Sequence, residues 1–289
     1  MTTNENKLEI RNSLKPKDDK MLEFASPIKE ICSNNETCWI LLTDCCLLSY
    51  NFLEKSLLNH QSTEIIISIA CTATDLYFIT TNNNLRKFTN GQEKSIHEFP
   101  KHQKIKKLVT GAEHCLLLTS NGDVFSVGCG LRGTLGHGDV NSCDTPKQIE
   151  GLAGLKIVDI AAGLFHSIAV SSFGDVYTWG WNTHGQLGLP KIARHTFEKA
   201  SDNHQQVFTV PQLIELEDDE AVEKVFCGSR HTVLKTERNR IFSAGLNNYG
   251  QLGLSSKIED VDKFTEIPVS DINDDTRIVC GFWATYLLK

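Results

Sequence analysis

Short hydrophobic runs recur along the chain and alternate with polar turns rich in glycine, serine and asparagine. Residues 166–170 and 175–179 are two such runs, rich in β-branched and aromatic residues, and residues 171–174 between them have the composition of a turn. This arrangement predicts a β-hairpin. In residues 115–118 every side chain is apolar, which predicts a strand covered on both faces by stacked sheets. The pattern therefore predicts an all-β protein.

The hydrophobic runs belong to an internal repeat, which is found by aligning three blocks without a gap. Each block opens with Gly-x-x-His, has a second glycine at a fixed distance (Gly128, Gly180 and Gly245), and then a Gly-x-Leu-Gly loop. The opening pairs are Gly111 and His114, Gly163 and His166, and Gly228 and His231. Further strands at 145–149 and 210–214 contain a proline near their start, which predicts an outermost position in each sheet.

The same block fits less regular parts of the chain. Gly281 opens a final block that has Ala284 in place of histidine, and two upstream blocks have Glu36 and Asp75 there. The upstream blocks lack the Gly-rich loop. Four-stranded sheets that repeat every ~40 to 50 residues are typical of β-propeller blades. We predict six blades, with seven as the alternative.

The repeat also predicts the domain organisation. We expect an N-terminal segment that is partly disordered or provides a ring-closing strand, followed by one propeller domain. The predicted ranges are 1–27 for this segment and 28–289 for the propeller, with degenerate blades over 28–104, well-formed repeats over 105–272 and a truncated last blade over 277–289. Because a bare sheet edge invites aggregation, we expect residues 8–11 or 22–24 to pair with the last blade.

Composition excludes several classes of protein. No apolar run approaches the ~18 to 20 residues of a membrane span, and the polar N-terminus does not resemble a secretion signal. The formal charge of −7 disfavours direct nucleic-acid binding. The ten cysteines form no CxxC pair, which disfavours zinc and disulfide scaffolds. We expect a nuclear or cytoplasmic monomer without membrane association, metal or cofactor.

Three segments carry a family resemblance: GAEHCLLLTSNGDVFSVGCGLRGTLGHG, GLFHSIAVSSFGDVYTWGWNTHGQLGLP and CGSRHTVLKTERNRIFSAGLNNYGQLGL. They resemble the regulator of chromosome condensation repeat. The order of degenerate and regular blocks along the chain is similar to that of a small stand-alone member of this family. The resemblance implies an intracellular, non-enzymatic adaptor linked to chromatin and chromosome segregation. It implies protein partners such as a chromatin-modifying enzyme or a histone-associated complex.

Two other functions remain as alternatives. The family founder is a guanine-nucleotide exchange factor, so regulation of a small GTPase is the first alternative, although no segment here matches the wedge on which exchange depends. A degenerate domain of a larger ligase is the second. We do not expect enzymatic activity.

The repeated histidines suggest a metal site at first sight, but they occupy the same position in three different blades. We therefore expect His114, His166 and His231 to form structural hydrogen bonds. The Gly-rich loops lack the Gly-Lys-Ser/Thr ending of a phosphate-binding loop, so their glycines are interpreted as turn residues. Four cysteines stand just before the position of the opening glycine, which is serine or threonine in the two upstream blocks. We expect small apolar side chains there rather than redox chemistry: Cys32, Cys71, Cys227 and Cys280.

The opening turns and the Gly-rich loops should lie at the same end of each blade, because one hairpin separates them. Aromatic residues and arginine are concentrated there, as in the hot spots of protein interfaces. The predicted protein-binding face comprises Glu113, Arg132, Phe165, Trp181, Asn182, His184, Arg230, Asn247, Tyr249 and Trp283. Packing of Trp181 and Trp283 between blades is an equally open interpretation. The long segment 190–210 is either a second binding loop or disordered.

Overall fold

A computed structural model describes residues 2–4, 6–10, 20–89, 91–190, 206–270 and 272–288. The chain divides into two compact units, Met1–Pro100 and Lys101–Lys289. Within the described ranges, no helix is both long and apolar enough to cross a membrane. Both units consist of antiparallel sheets, and a sheet of four strands is called a blade below.

The first unit contains a three-stranded sheet and two blades. The three-stranded sheet consists of β1 (Thr2–Asn4), β2 (Lys7–Ile10) and β3 (Lys20–Glu23), in that order. Blade 1 consists of β4 (Ile28–Ser33), β5 (Thr37–Leu42), β6 (Leu47–Asn51) and β7 (Ser56–His60). Blade 2 consists of β8 (Ile66–Cys71), β9 (Leu76–Thr80), β10 (Asn84–Thr89) and β11 (Gln92–Glu98).

The N-terminal strands pair with each other, and pairing of residues 8–11 or 22–24 with the last blade remains a prediction. Leu8 of β2 is the pairing partner of Leu22 of β3. Both side chains are buried in a cluster that includes Cys38 and Ile40 of β5. A buried apolar contact with blade 1 therefore stabilises these two short strands.

The second unit contains three blades and a two-stranded sheet. Blade 3 consists of β12 (Ile105–Thr110), β13 (His114–Thr119), β14 (Val124–Gly128) and β15 (Cys143–Gln148). Blade 4 consists of β16 (Ile157–Ala162), β17 (His166–Ser171), β18 (Val176–Trp181) and β19 (Val207–Ile214). Blade 5 consists of β20 (Val222–Cys227), β21 (His231–Thr236), β22 (Ile241–Leu246) and β23 (Asp260–Glu266). The last sheet consists of β24 (Arg277–Cys280) and β25 (Thr285–Leu288). Short 3-10 helices connect the strands at Lys101–Gln103, Leu131–Gly133, Glu150–Leu152 and Glu217–Asp219.

The sheets of the second unit pack face to face, as the all-apolar strand predicted. Every residue of β13, β17 and β21 is buried. Leu116 and Leu118 of blade 3 share a core cluster with Ile160 and Trp179 of blade 4. The proline-containing strands β15 and β19 are outermost in their blades, which confirms that part of the prediction.

Candidate protein-binding face

The opening turn and the Gly-rich loop of each blade lie at the same end. His114 is the pairing partner of Gly128, and the equivalent pairs in blades 4 and 5 are His166 with Gly180 and His231 with Gly245. The strand before each histidine ends in the turn, and the strand that ends at or one residue after each second glycine leads into the loop. This pairing brings the predicted turn and loop residues to one end of blades 3 to 5.

Backbone hydrogen bonds connect the opening turns of neighbouring sheets. The N–H of Ala112 donates to the carbonyl oxygen of Leu164 at 3.0 Å. The N–H of Leu164 donates to Ser229 at 3.1 Å, and that of Ser229 to Phe282 at 3.2 Å. The bonds fix the relative positions of the residues that follow, which are Glu113, Phe165, Arg230 and Trp283.

The three histidines form hydrogen bonds that connect each blade to the next sheet. Nε2 of His114 lies 2.9 Å from Oγ of Ser167, and this hydroxyl donates to the carbonyl oxygen of Thr134 at 3.0 Å. Because the hydroxyl proton is used in this way, the hydroxyl oxygen accepts a hydrogen bond from Nε2–H. The same relay occurs twice more, as His166–Thr232–Gln186 and His231–Thr285–Gln251.

Burial keeps these histidines neutral. It lowers the pKa of His114 to about 4 and that of His231 to about 4. The pKa of His166 falls to about 3, mainly through burial and further through His231 and His114. A neutral imidazole ring that forms a hydrogen bond with a hydroxyl group of the next sheet is suited to holding the two sheets together. Within the described residues, no group of three or more His, Cys, Asp or Glu is placed to hold a metal ion.

The opening glycines leave room for the imidazole rings. A Cβ atom at Gly111 would lie 2.2 Å from Cε1 of His114, and the equivalent distance is 2.0 Å at Gly163 and at Gly228. At Gly281, which is followed by Ala284 instead of histidine, the nearest atom would be 3.7 Å away. A Cβ atom at the first three positions would also lie 2.4 to 2.7 Å from the carbonyl oxygen of the next opening glycine, so the ring and the neighbouring backbone both require glycine there.

Residues that precede the first glycine of each Gly-x-Leu-Gly loop contact the opening turn of the next sheet. The guanidinium carbon of Arg132 lies 4.0 Å from the centre of the Phe165 ring. Nε2 of His184 lies 3.2 Å from Nη1 of Arg230. The rings of Tyr249 and Trp283 are 5.4 Å apart, centre to centre. We call these three contacts the loop–turn pairs. They use one position in the repeat but three different interactions.

Neighbouring side chains extend two of the pairs into clusters. The Trp181 ring meets Phe165 edge to face at 5.7 Å, and its centre is 5.0 Å from the Arg132 guanidinium. Phe282 packs against Trp283 at 4.9 Å. Phe282 was missed by the sequence analysis, although its place beside Trp283 in the turn was a usable signal. Trp181 and Trp283 thus contact an adjacent sheet and are still partly accessible.

Accessibility varies among the predicted face residues. Tyr249, at 71% relative exposure, Trp283 and Glu113 are exposed, while Arg132, Phe165, Trp181, His184 and Arg230 are half-buried. Asn182 and Asn247 are buried instead. Their Oδ1 atoms accept from the N–H of Leu187 and Leu252, both at 3.0 Å. The side chains of these two asparagines hold the Gly-rich loops in place through hydrogen bonds to the backbone. Because they are buried, they are not accessible to a partner.

The four repeated cysteines lie at or next to the end of the first strand of their sheets and are half-buried. A hydrogen bond with Cys71 raises the pKa of Cys32, and burial raises the pKa of Cys227 and that of Cys280, the latter to about 12. The Cys32 hydrogen bond lowers the pKa of Cys71. Most of the predicted 190–210 loop lies outside the described residues.

Comparison with known proteins places the repeats in a wider group. Two family models of the regulator of chromosome condensation (RCC1) repeat match the chain. The first matches residues 121–170 and 174–234, and the second matches residues 105–134, 157–186 and 222–251. Together they extend over 105–251, about half of the chain.

Individual relatives match the same region. The human RCC1 domain-containing protein 1 is 36% identical over 208 residues, which are 63% of this chain and 55% of that protein. The chain thus spans about half the length of this relative. Human E3 ubiquitin-protein ligase HERC2 is 39% identical over 156 residues, which are 53% of this chain but 3% of the ligase.

Solved structures show the same fold at lower identity. Human WBSCR16 superposes with a TM-score of 0.78 at 17% identity, covering 93% of this chain and 76% of that one. Prp20p from Saccharomyces cerevisiae, described together with its binding properties to Gsp1p and histones, gives 0.71 at 19% identity, with 90% and 68% covered. These likenesses confirm the predicted all-β propeller fold.

Proposed function

Because the chain belongs to the regulator of chromosome condensation (RCC1) repeat family, we propose that it is a non-catalytic scaffold that binds a protein partner. The observation that carries this proposal is the series of loop–turn pairs. They collect arginine and aromatic side chains from adjacent sheets at one end of the second unit, and these residue types dominate the binding energy of protein interfaces.

The exposed aromatic cluster is the strongest part of this face. Tyr249, Phe282 and Trp283 are exposed, and their rings are in mutual contact through Trp283. Rings that are already packed together lose little conformational freedom when a partner covers them, so more of the contact energy contributes to affinity. We therefore assign the cluster as the main anchor for the partner.

The proposed biological setting follows from the relatives. Similarity to RCC1 domain-containing protein 1 supports a role linked to chromatin regulation and chromosome segregation, in the nucleus or the cytoplasm. The fold of Prp20p, a protein studied for binding to Gsp1p and histones, supports protein partners of the same general kind. The proposed partner is a chromatin-modifying enzyme or a histone-associated complex, and the proposed scaffold is a monomer.

The proposal is tested by affinity purification with mass spectrometry. We expect the double variant Y249A/W283A to lose partners that the wild type recovers, because a hot spot of ~2 kcal/mol corresponds to about thirtyfold in affinity. F173A is the matched control. Phe173 is 81% exposed in the turn between β17 and β18, at the opposite end of the blade. Recovery of identical partners by wild type and the double variant would contradict the proposal.

A second measurement distinguishes the scaffold function from the alternative function, which is regulation of a small GTPase. We expect the purified protein to leave the rate of nucleotide release unchanged for any small GTPase tested. Accelerated release would favour the exchange-factor alternative over the scaffold.

A further inference from the structure

Arg132 is held in one orientation by its surroundings. Its backbone adopts the left-handed region at φ 66°, and its guanidinium lies over the Phe165 ring. Trp181 meets the edge of Phe165 and forms a second aromatic contact with the guanidinium. An arginine fixed in this way has already lost much of the side-chain freedom that binding normally removes.

Within the described ranges, the hydrogen-bonding edge of this guanidinium has no partner. Stacking on an aromatic ring engages the face of the guanidinium, whereas its five N–H donors point outward in its plane. In the part of the chain that the structure describes, no carboxylate lies within ion-pair distance of Arg132. Other arginines do have such partners: Arg86 lies 2.6 Å from Glu93, and Arg240 lies 2.7 Å from Glu220.

Two exposed apolar side chains belong to the same loop region as Arg132. Leu131 is 57% exposed and Val140 is 48% exposed. The two segments that carry them are in close contact, because a Cβ atom at Gly130 would lie 1.8 Å from the carbonyl oxygen of Asn141. The loop region that carries this fixed cation therefore also exposes two apolar side chains to a partner.

We propose that Arg132 is a specificity-determining residue that binds an Asp or Glu carboxylate of the protein partner, while an apolar residue next to that carboxylate packs on Leu131 and Val140. The inference rests on the proposed scaffold function and adds the chemistry of the recognised segment. The planar fork of arginine matches a carboxylate in a bidentate manner, which lysine cannot reproduce.

Net charge favours a carboxylate of a protein over a nucleic-acid backbone. The chain carries a formal charge of −7, which opposes a polyanion along its whole length. A single carboxylate meets only the local field, because charges more than ~8 Å away are largely screened at physiological ionic strength. The contact with Arg132 then determines its binding.

The test uses peptides selected from a random display library on the purified full chain. Synthetic versions are measured by fluorescence anisotropy against wild type, R132Q, R132K, F165L and the double variant Y249A/W283A. R238Q is the control, because Arg238 is an exposed arginine in the turn between β21 and β22, at the opposite end of blade 5.

We expect selected peptides to share an acidic residue beside an apolar one. R132Q should weaken binding at least tenfold, R132K and F165L should weaken it less, and R238Q should leave it unchanged. Replacing the peptide glutamate by glutamine should weaken binding to wild type but cause no further loss with R132Q, since the two changes remove one shared contact.

Three results would overturn the assignment of Arg132: selected peptides without a common acidic residue, equal binding by R132Q and wild type, or a strong preference for phosphoserine over glutamate. If Y249A/W283A weakens binding while R132Q does not, the Arg132 assignment fails and the scaffold face stands. If neither variant affects any selected peptide, the face itself is refuted.

Discussion

At the scale of single residues, the face is built from matched neighbours. The turn position holds Phe165, Arg230 or Trp283, and such variety would by itself indicate that the fold does not constrain the side chain. The loop–turn pairs change that interpretation, because each turn residue contacts a loop residue of the preceding blade. A single sequence cannot display this dependence, since the two members of a pair are far apart in the chain.

Substitutions at the pairs should therefore have unequal effects on stability. We expect Tyr249→Ala to change the free energy of unfolding by no more than about 0.5 kcal/mol, because the side chain is mostly exposed. Phe165→Ala should cost about 1 to 2 kcal/mol, since it removes a half-buried ring and a cation–π contact. Urea unfolding of both variants measures the difference. Equal costs would show that the pairs do not stabilise the fold.

At the scale of elements, the sequence was most informative where the repeat is regular. Hairpins, doubly covered strands and outermost proline strands follow from local composition, and all are present. The pairing of β2 with β3 was missed because short strands of mixed polarity do not specify their partner. Burial of Asn182 and Asn247 was missed for another reason: their amides satisfy loop backbone groups, which depends on how the loop folds back.

The histidine relays connect elements that the sequence leaves separate, and they can be tested one at a time. Thr232→Val removes the hydroxyl group that joins His166 to the carbonyl oxygen of Gln186. We expect a loss of ~1 to 3 kcal/mol, because both buried groups lose their partner. Thr232→Ser keeps the hydroxyl group and is the matched control. If valine and serine cost the same amount in thermal or urea unfolding, the relay contributes nothing measurable.

At the scale of the whole molecule, the two units differ in the residue at the histidine position. The second unit has three buried neutral histidines, whereas the first has Glu36 and Asp75 at the same repeat position. The unit boundary after Pro100 lies close to the predicted change from degenerate to well-formed repeats at 104 and 105. The finer domain boundaries and the number of blades remain predictions.

This difference predicts an acid-sensitive second unit. The pKa of each buried histidine is lowered to about 4 or about 3, below the ordinary value of 6.5. Its contribution to stability is therefore complete above pH 6.5 and is lost as the pH falls towards the folded-state pKa. Within that window each histidine contributes a slope of up to ~1.4 kcal/mol per pH unit. The urea concentration at the midpoint of unfolding should therefore fall steeply as the pH is lowered from 7.5 to 4.5.

A variant that lacks one of the histidines provides the control. His231→Gln should be less stable at neutral pH, and its stability should depend less steeply on pH by about one proton. A wild-type midpoint that stays constant from pH 7 to pH 5 would be incompatible with histidines that are neutral in the folded state.

The loop–turn pairs also determine how such a surface can be transplanted. Arg132 and Phe165 belong to different sheets, and so do the members of the other two pairs. Exchange of one complete blade for another would replace one member of the loop–turn pair at each of its two boundaries. Both pairs would then consist of residues that do not match. A stretch that begins in one Gly-rich loop and ends in the following turn, such as 132–165 or 184–230, keeps each pair intact. The segment that carries a complete recognition pair is therefore shifted along the chain relative to a complete blade, and a transplanted segment should begin in a Gly-rich loop and end in the following opening turn.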